Sequence, residues 1–240
     1  MTSADTIRTA GADLFERRDP SAVDRYYTED FRQHSPFAPD GREGLRGFIE
    51  HLPEGFRVDL VRVLEDHGMV AVHAVYEGLG PEPLAAFDLF RVEDGRIAEH
   101  WDAMEPLRSG PDGARPQLDG PTAVTDHERT HDNKTIAAEW VEAALIGGDA
   151  HVVQDHVSVE GYVDHALGAA DTPRPAYRRL RRVVGEGNFV LTVAEGAAAE
   201  DPGRTVACYD LWRLDTGRIV EHWAVVQPVP DRMAHANGMF

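Results

Sequence analysis

Apolar and polar positions keep a helical rhythm at the start of the chain and then change to alternation. Residues 3–18 carry Ile7, Ala10, Ala12, Leu14 and Phe15 at helical spacing, with Ser3 as a candidate N-cap, and predict a first helix. Asp19-Pro20-Ser21 opens a second short helix running through Tyr27, and Leu45, Phe48, Ile49 and Leu52 predict a third over 43–52. From Phe56 the period falls to two. Strands are predicted over Phe56 to Leu64, Met69 to Tyr76, Leu84 to Val92 and Ile97 to Met104. Glu93-Asp94-Gly95 supplies a hairpin turn, with glycine where a positive φ is needed. Helices first and a meander of antiparallel strands afterwards is an α+β pattern.

The pattern then recurs. Residues 88–101 read DLFRVEDGRIAEHW and residues 210–223 read DLWRLDTGRIVEHW, a spacing of 122 residues from Asp88 to Asp210. A weaker echo sets Gln33-His34 against Asp164-His165. Two homologous units are therefore expected: 1–107 as the active one, 132–230 as a degenerate copy, 108–131 as a linker rich in Gly, Pro and Asp at its start, and 231–240 as a C-terminal tail. The stretch between His165 and Ala176 is too short for a counterpart of the third helix, and Thr172-Pro173-Arg174-Pro175 stands in its place.

Composition narrows the function. The chain has 240 residues, 42% of them hydrophobic, which suits one or two cores. No apolar run reaches membrane-spanning length, and Met1-Thr2-Ser3-Ala4-Asp5 lacks the basic and apolar regions of a secretory signal. A formal charge of −18 disfavours nucleic acid and anionic membrane surfaces as partners. Cys208 is the single cysteine, so an intramolecular disulfide is impossible, and a cytoplasmic location is expected. Gly-rich nucleotide-binding patterns are absent.

Strand periodicity groups the chemistry. His100, Asp102 and Met104 share one face of the last strand of the first unit, Asp88 and Phe90 share one face of the strand before it, and the turn brings Asp88 near His100 or Asp102. A carboxylate in an apolar strand must be satisfied or useful, which singles out Asp102. Structural alternatives accompany each candidate: Asp88 paired with Arg91 or Arg96, His100 as a core histidine, His34 as a turn cap.

Several motifs together resemble a known family: Tyr27, Gln33-His34-Ser35-Pro36, Val72-His73, Asp88-Leu89-Phe90-Arg91, Asp94-Gly95-Arg96-Ile97 and Glu99-His100-Trp101-Asp102, with a second set from Tyr162 and His165 to Trp223. These are similar to SnoaL-like, polyketide-cyclase-like members of the nuclear-transport-factor-2-like superfamily, in two tandem copies. The resemblance implies two cone-shaped α+β barrels, each with helices on a curved antiparallel sheet around a ligand cavity. It also implies an intrachain pseudo-dimer, with pairing to a second chain as a further option. In such cyclases an acidic residue on the last strand is the general acid/base, and Asp102 matches it; the cyclase's partner histidine is replaced here by Asp88.

The expectation is a cofactor-independent acid/base enzyme acting on a small, mainly apolar carbonyl compound by aldol-type cyclisation, isomerisation or dehydration. Asp102, Asp88, His100 and His34 are the candidate catalytic residues, and His73, Phe90, Met104 and Phe48 the candidate substrate contacts. The alternatives are a non-catalytic small-molecule binder and a metal-dependent enzyme drawing on His34, His73, Asp88 and His100. An epoxide hydrolase would need Arg91 in the pocket, yet its odd spacing from Asp88 turns it away. Ala224 stands where Asp102 would recur, so the second unit is expected to be inactive in the same reaction.

Overall fold

The computed structural model describes residues 1–108, 116–149, 151–158, 161–166 and 174–240, of which 152–154 by backbone only. The chain divides into two compact units, Met1–Leu107 with Pro230–Phe240, and Arg108–Val229.

In the first unit α1 (Ser3–Gly11) continues into a π-helical turn, Ala12–Glu16. Thr2 caps it rather than Ser3: its hydroxyl accepts from Asp5 N and the Asp5 carboxylate accepts from Thr2 N, a capping box. The Ser3 amide donates instead to Glu65. Then follow α2 (Ala22–Tyr26), β1 (Tyr27–Gln33), α3 (Gly41–Glu50), β2 (Arg57–Asp66), β3 (Met69–Glu77), β4 (Leu84–Glu93) and β5 (Arg96–Pro106). The sheet order is β1-β5-β4-β3-β2. β1 runs parallel to β5 and every other pairing is antiparallel. β1 takes the place of the end of the second predicted helix and the segment after it. Its sequence is largely polar because it is an edge strand, and only Tyr27, Phe31 and Gln33 turn inward. Ile7, Leu14, Val23, Leu45 and Ile49 of the helices pack on Val70, Val72, Ala74 and Ile97 of the sheet.

The β4–β5 hairpin closes as the sequence predicts, with Asp94 at φ 48 and Gly95 at φ 76. A bulge follows. Glu93 pairs with Arg96 and Val92 with Ile97, but Arg91 pairs with Glu99, so Ala98 is the extra residue. The slip sets Asp88 opposite Asp102 instead of Trp101, which puts the two carboxylates on one face.

The second unit repeats the plan with a 3₁₀ turn at His127–Arg129, α4 (Thr130–Glu139), a π-helical turn Trp140–Ile146, α5 (His151–His156), β6 (Val163–Asp164), β7 (Ala176–Glu186), β8 (Phe189–Ala197), β9 (Thr205–Asp215) and β10 (Arg218–Pro228). Its sheet order is β6-β10-β9-β8-β7, the same topology, and a bulge at Val220 matches that at Ala98. Ala137, Val141, Val190, Trp212 and Ile219 centre its core. The expected loss of a third helix falls on residues 167–173, outside the described residues.

Two segments depart from the expected boundaries. Part of the 108–131 segment packs into the second unit, where the Asp119 carbonyl accepts from Trp223 Nε1 at 2.9 Å and Thr125 N donates to Asn188 Oδ1 at 2.9 Å. The 231–240 tail belongs with the first unit, and Met239 is fully buried. Among the described residues no helix is long and apolar enough to cross a membrane.

Candidate active site

Inward positions of β3, β4 and β5 converge in the first unit. Val72 pairs with Asp88 and Asp88 with Asp102, so these three lie side by side on the helix-covered face. A cavity of about 710 Å³ opens there. Phe15, Phe31, Phe37, Phe48, Phe56 and Phe90 line it with Met104, Tyr27 and Tyr76, and its polar floor is Asp88, His100, Asp102, Gln33 and Ser35.

The floor is a connected network. His100 Nε2 lies 3.0 Å from Asp88 Oδ1, and the Tyr76 hydroxyl donates to the same oxygen at 2.9 Å. His100 Nδ1 lies 2.9 Å from Gln33 Oε1, which also accepts from the Ser35 amide at 2.9 Å. An oxygen that accepts from an amide N–H accepts from the ring too, so Nδ1 carries a hydrogen; the carboxylate opposite Nε2 places one there as well. His100 is thus held as an imidazolium. Burial pulls its pKa down, but the hydrogen bond to Asp88 and the charges of Asp102 and Asp88 outweigh that and hold it above 6.5. The Phe90 ring stacks on it at 4.6 Å.

Asp102 is the unusual member. It is 3% exposed, and its Oδ1 is buried without a hydrogen-bond partner. Burial pushes its pKa up to about 6 and Asp88 adds to the rise, against the opposing pull of His100, a Ser35 hydrogen bond and His235. Its carboxyl therefore exchanges a proton near neutral pH beside a fixed positive charge.

The expected site residues divide. Asp88, His100 and Asp102 come together, and Phe90, Met104 and Phe48 line the cavity. His34 and His73 do not line it. His34 follows inward Gln33, so it faces the other way, stacks on Trp101 at 4.7 Å and bonds the Gly238 carbonyl. His73 pairs with Phe87, one register position from the Val72–Asp88 pair; it stacks on that ring at 4.4 Å and meets Arg62 at 2.9 Å. Asp88 meets Tyr76 and His100 rather than Arg91 or Arg96, and Arg91 turns to Glu93 and Glu99. Gln33 and Ser35 enter the sequence reading only within the Gln33-His34-Ser35-Pro36 motif and Tyr76 only as a strand end, none of them as a site residue. Tyr76 was legible there, since it lies four residues from Val72 on the same strand face.

Among the described residues, Asp88, His100 and Asp102 form the one group of His, Cys, Asp and Glu close enough to hold a metal, one atom of each within 4.8 Å of the others. As arranged, both ring nitrogens of His100 are engaged as donors, so it offers no lone pair to an ion.

Residues 9–100 match the family model of the SnoaL-like domain. No curated protein matches the chain. Solved structures similar to it include TsrD from Streptomyces laurentii, 21% identical over 42% of this chain and 89% of that one, TM-score 0.35. IdmH from Streptomyces antibioticus, a proposed polyketide cyclase, is 21% identical over 44% of this chain and 93% of its own, TM-score 0.37. An NTF2-like protein from Cytophaga hutchinsonii is 20% identical over 44% and 92%, TM-score 0.40. None of these likenesses bears on activity.

Proposed function

We propose that the first unit, whose residues 9–100 match the SnoaL-like domain model, is a cofactor-independent acid/base enzyme acting on a small, mainly apolar carbonyl compound, by cyclisation, isomerisation or dehydration. The observation that carries this reading is Asp102: a buried carboxyl in a phenylalanine-rich cavity, one oxygen unpartnered, with a pKa of about 6. Asp102 takes the proton α to the carbonyl and returns it later in the reaction. The His100 imidazolium, braced by Asp88 and Gln33, offsets the enolate charge in a medium where such offsets are strong. Tyr76 fixes the orientation of the Asp88 carboxyl group by donating to it. The phenylalanines exclude water and hold the apolar body of the substrate.

The test uses β-tetralone in D2O, with α-proton exchange followed by NMR. The wild-type protein is expected to accelerate exchange, and Asp102→Asn to bind the ketone with exchange reduced about 10²–10⁴-fold. Binding by both forms with no acceleration by either would leave a container rather than an enzyme.

A further inference from the structure

The last residues of the chain sit on the corner that carries the site. β1 ends at Gln33; His34 N still donates to the His100 carbonyl of β5 at 2.8 Å, and residues 35–40 then leave the sheet before α3. The tail meets three successive residues of this corner. Asn237 Nδ2 donates to the Gln33 carbonyl at 2.9 Å, His34 Nδ1 donates to the Gly238 carbonyl at 2.9 Å, and His235 Nε2 donates to the Ser35 carbonyl at 2.8 Å. Asp40 ties the corner further, accepting from Gln33 N at 2.8 Å and from Asn237. Buried Met239 anchors the segment.

Those residues are the ones that orient the acid/base groups. The Gln33 side chain holds His100 Nδ1, the Ser35 side chain bonds the Asp102 carboxyl, and the His34 ring packs on Trp101 between the two. We propose that the C-terminal tail is part of the first unit's site, with His235 and Asn237 as positioning residues that fix Gln33 and Ser35 against His100 and Asp102. The proposal rests on the reading of Asp102 and His100 as the working groups. A 1 Å displacement of such supports can cost about 10²-fold in rate, which gives these contacts a role beyond fastening residues 235–239.

The groups facing Asp102 are Asp88 on β4, His100 on β5, Tyr76 on β3, Ser35 beyond β1 and His235 in the tail. Ser35 and His235 both favour its charged form. Loosening the tail therefore raises the Asp102 midpoint.

The experiment is a pH titration of the full-length, ¹³C-aspartate-labelled protein by carboxyl NMR, with Asp102→Asn assigning the resonance. In His235→Ala and in Asn237→Ala the Asp102 midpoint is expected to rise by about one pH unit, the size of losing one hydrogen bond to a charged group. His235→Gln, which keeps a donor for the Ser35 carbonyl, is expected to recover much of that shift. Unmoved midpoints in both alanine variants, with only a lower melting temperature, would make the tail a fastening and overturn the proposal. If one alanine variant fails to fold, the other decides by the same readout, a raised midpoint supporting the positioning role and an unmoved one overturning it. The titration is read without substrate, so the two failures are told apart: absence of ketone exchange sinks the enzyme reading on which this one rests, and unmoved midpoints sink the positioning role itself.

Discussion

His100 and His222 stand at matching points of their sheets. Each follows a bulge on the last strand, each bonds an aspartate of the strand before it (Asp88 at 3.0 Å, Asp210 at 2.9 Å), and each stacks on an aromatic ring (Phe90 at 4.6 Å, Trp212 at 4.0 Å). Each aspartate also receives a tyrosine hydroxyl, but from different strands, Tyr76 of β3 in one unit and Tyr177 of β7 in the other. The second carboxylate is where the units part. In the first it is Asp102, in the cavity wall, while neutral Gln33 holds the outer ring nitrogen. In the second, Ala224 replaces it, and Asp164 takes the Gln33 position, 3.3 Å from His222 Nδ1. Two carboxylates are present either way. Around His222 both face the ring nitrogens, and His222 and Asp164 are each stabilised in the charged form. Around His100 one is left over, and it is the one with a raised pKa. Moving a single carboxylate across the sheet separates an ion triad from the proposed proton-transfer site.

The largest effect is expected in activity. Asp102→Asn should lower ketone exchange about 10²–10⁴-fold, whereas Asp210→Asn should leave the rate per folded molecule unchanged. Equal losses in both would break the assignment of chemistry to the first unit.

Installing the missing carboxylate tests the other side. Ala224→Asp would bury a third acid directly opposite Asp210. A cost of about 3–5 kcal/mol is expected, the scale of an uncompensated buried charge, seen as lost amide protection in β9 and β10.

The pH dependence should separate the units. Asp102 has a folded pKa above its ordinary value, so its contribution to stability is present below 3.8 and is lost as pH rises to about 6, on the order of 3 kcal/mol by linkage. His100, raised above 6.5, acts in the same direction: its contribution is full below 6.5 and lost as pH rises through its folded value. Asp164 is lowered, so its contribution holds above 3.8 and is lost as pH falls through its folded value. Melting of Asp102→Asn against wild type from pH 4 to 8 should show the variant gaining relative stability up to about pH 6 and no further. A constant gap would contradict the raised pKa.

The smallest effect concerns packing. Trp212 Nε1 donates to Thr192 Oγ1 at 2.9 Å, where the first unit has the apolar pair Phe90 and Val72. Thr192→Val alone should cost about 1–2 kcal/mol by stranding a buried donor. Adding Trp212→Phe removes that donor, so the double variant should lose less to hydrogen bonding than the two single losses combined, as a double-mutant cycle in denaturant would show.

Local signals carried most of the fold. The repeated hairpin, its Asp-Gly and Thr-Gly turns, the helical spacing before the strands and the α+β order are all written in nearest-neighbour chemistry. Period-two alternation also placed His100, Asp102 and Met104 on one face. His34 and His73 show the limit: each is one residue from an inward position, Gln33 and Val72, and strand parity without a register cannot say which neighbour turns in. β1 escaped notice because its partner strand lies far along the chain and its own residues are mostly polar.

The sequence by itself thus determined the elements other than β1, the duplication and the presence of a carboxylate and a histidine two residues apart on a buried strand. Tertiary structure decided what they do. The bulge at Ala98 shifted the register by one and set Asp88 opposite Asp102; the parallel pairing of β1 delivered Gln33 to His100; the tail returned to hold that corner. Each of these is a contact between residues distant in sequence. Burial, which those contacts create, is what raises the Asp102 pKa and turns an ordinary aspartate into a candidate base.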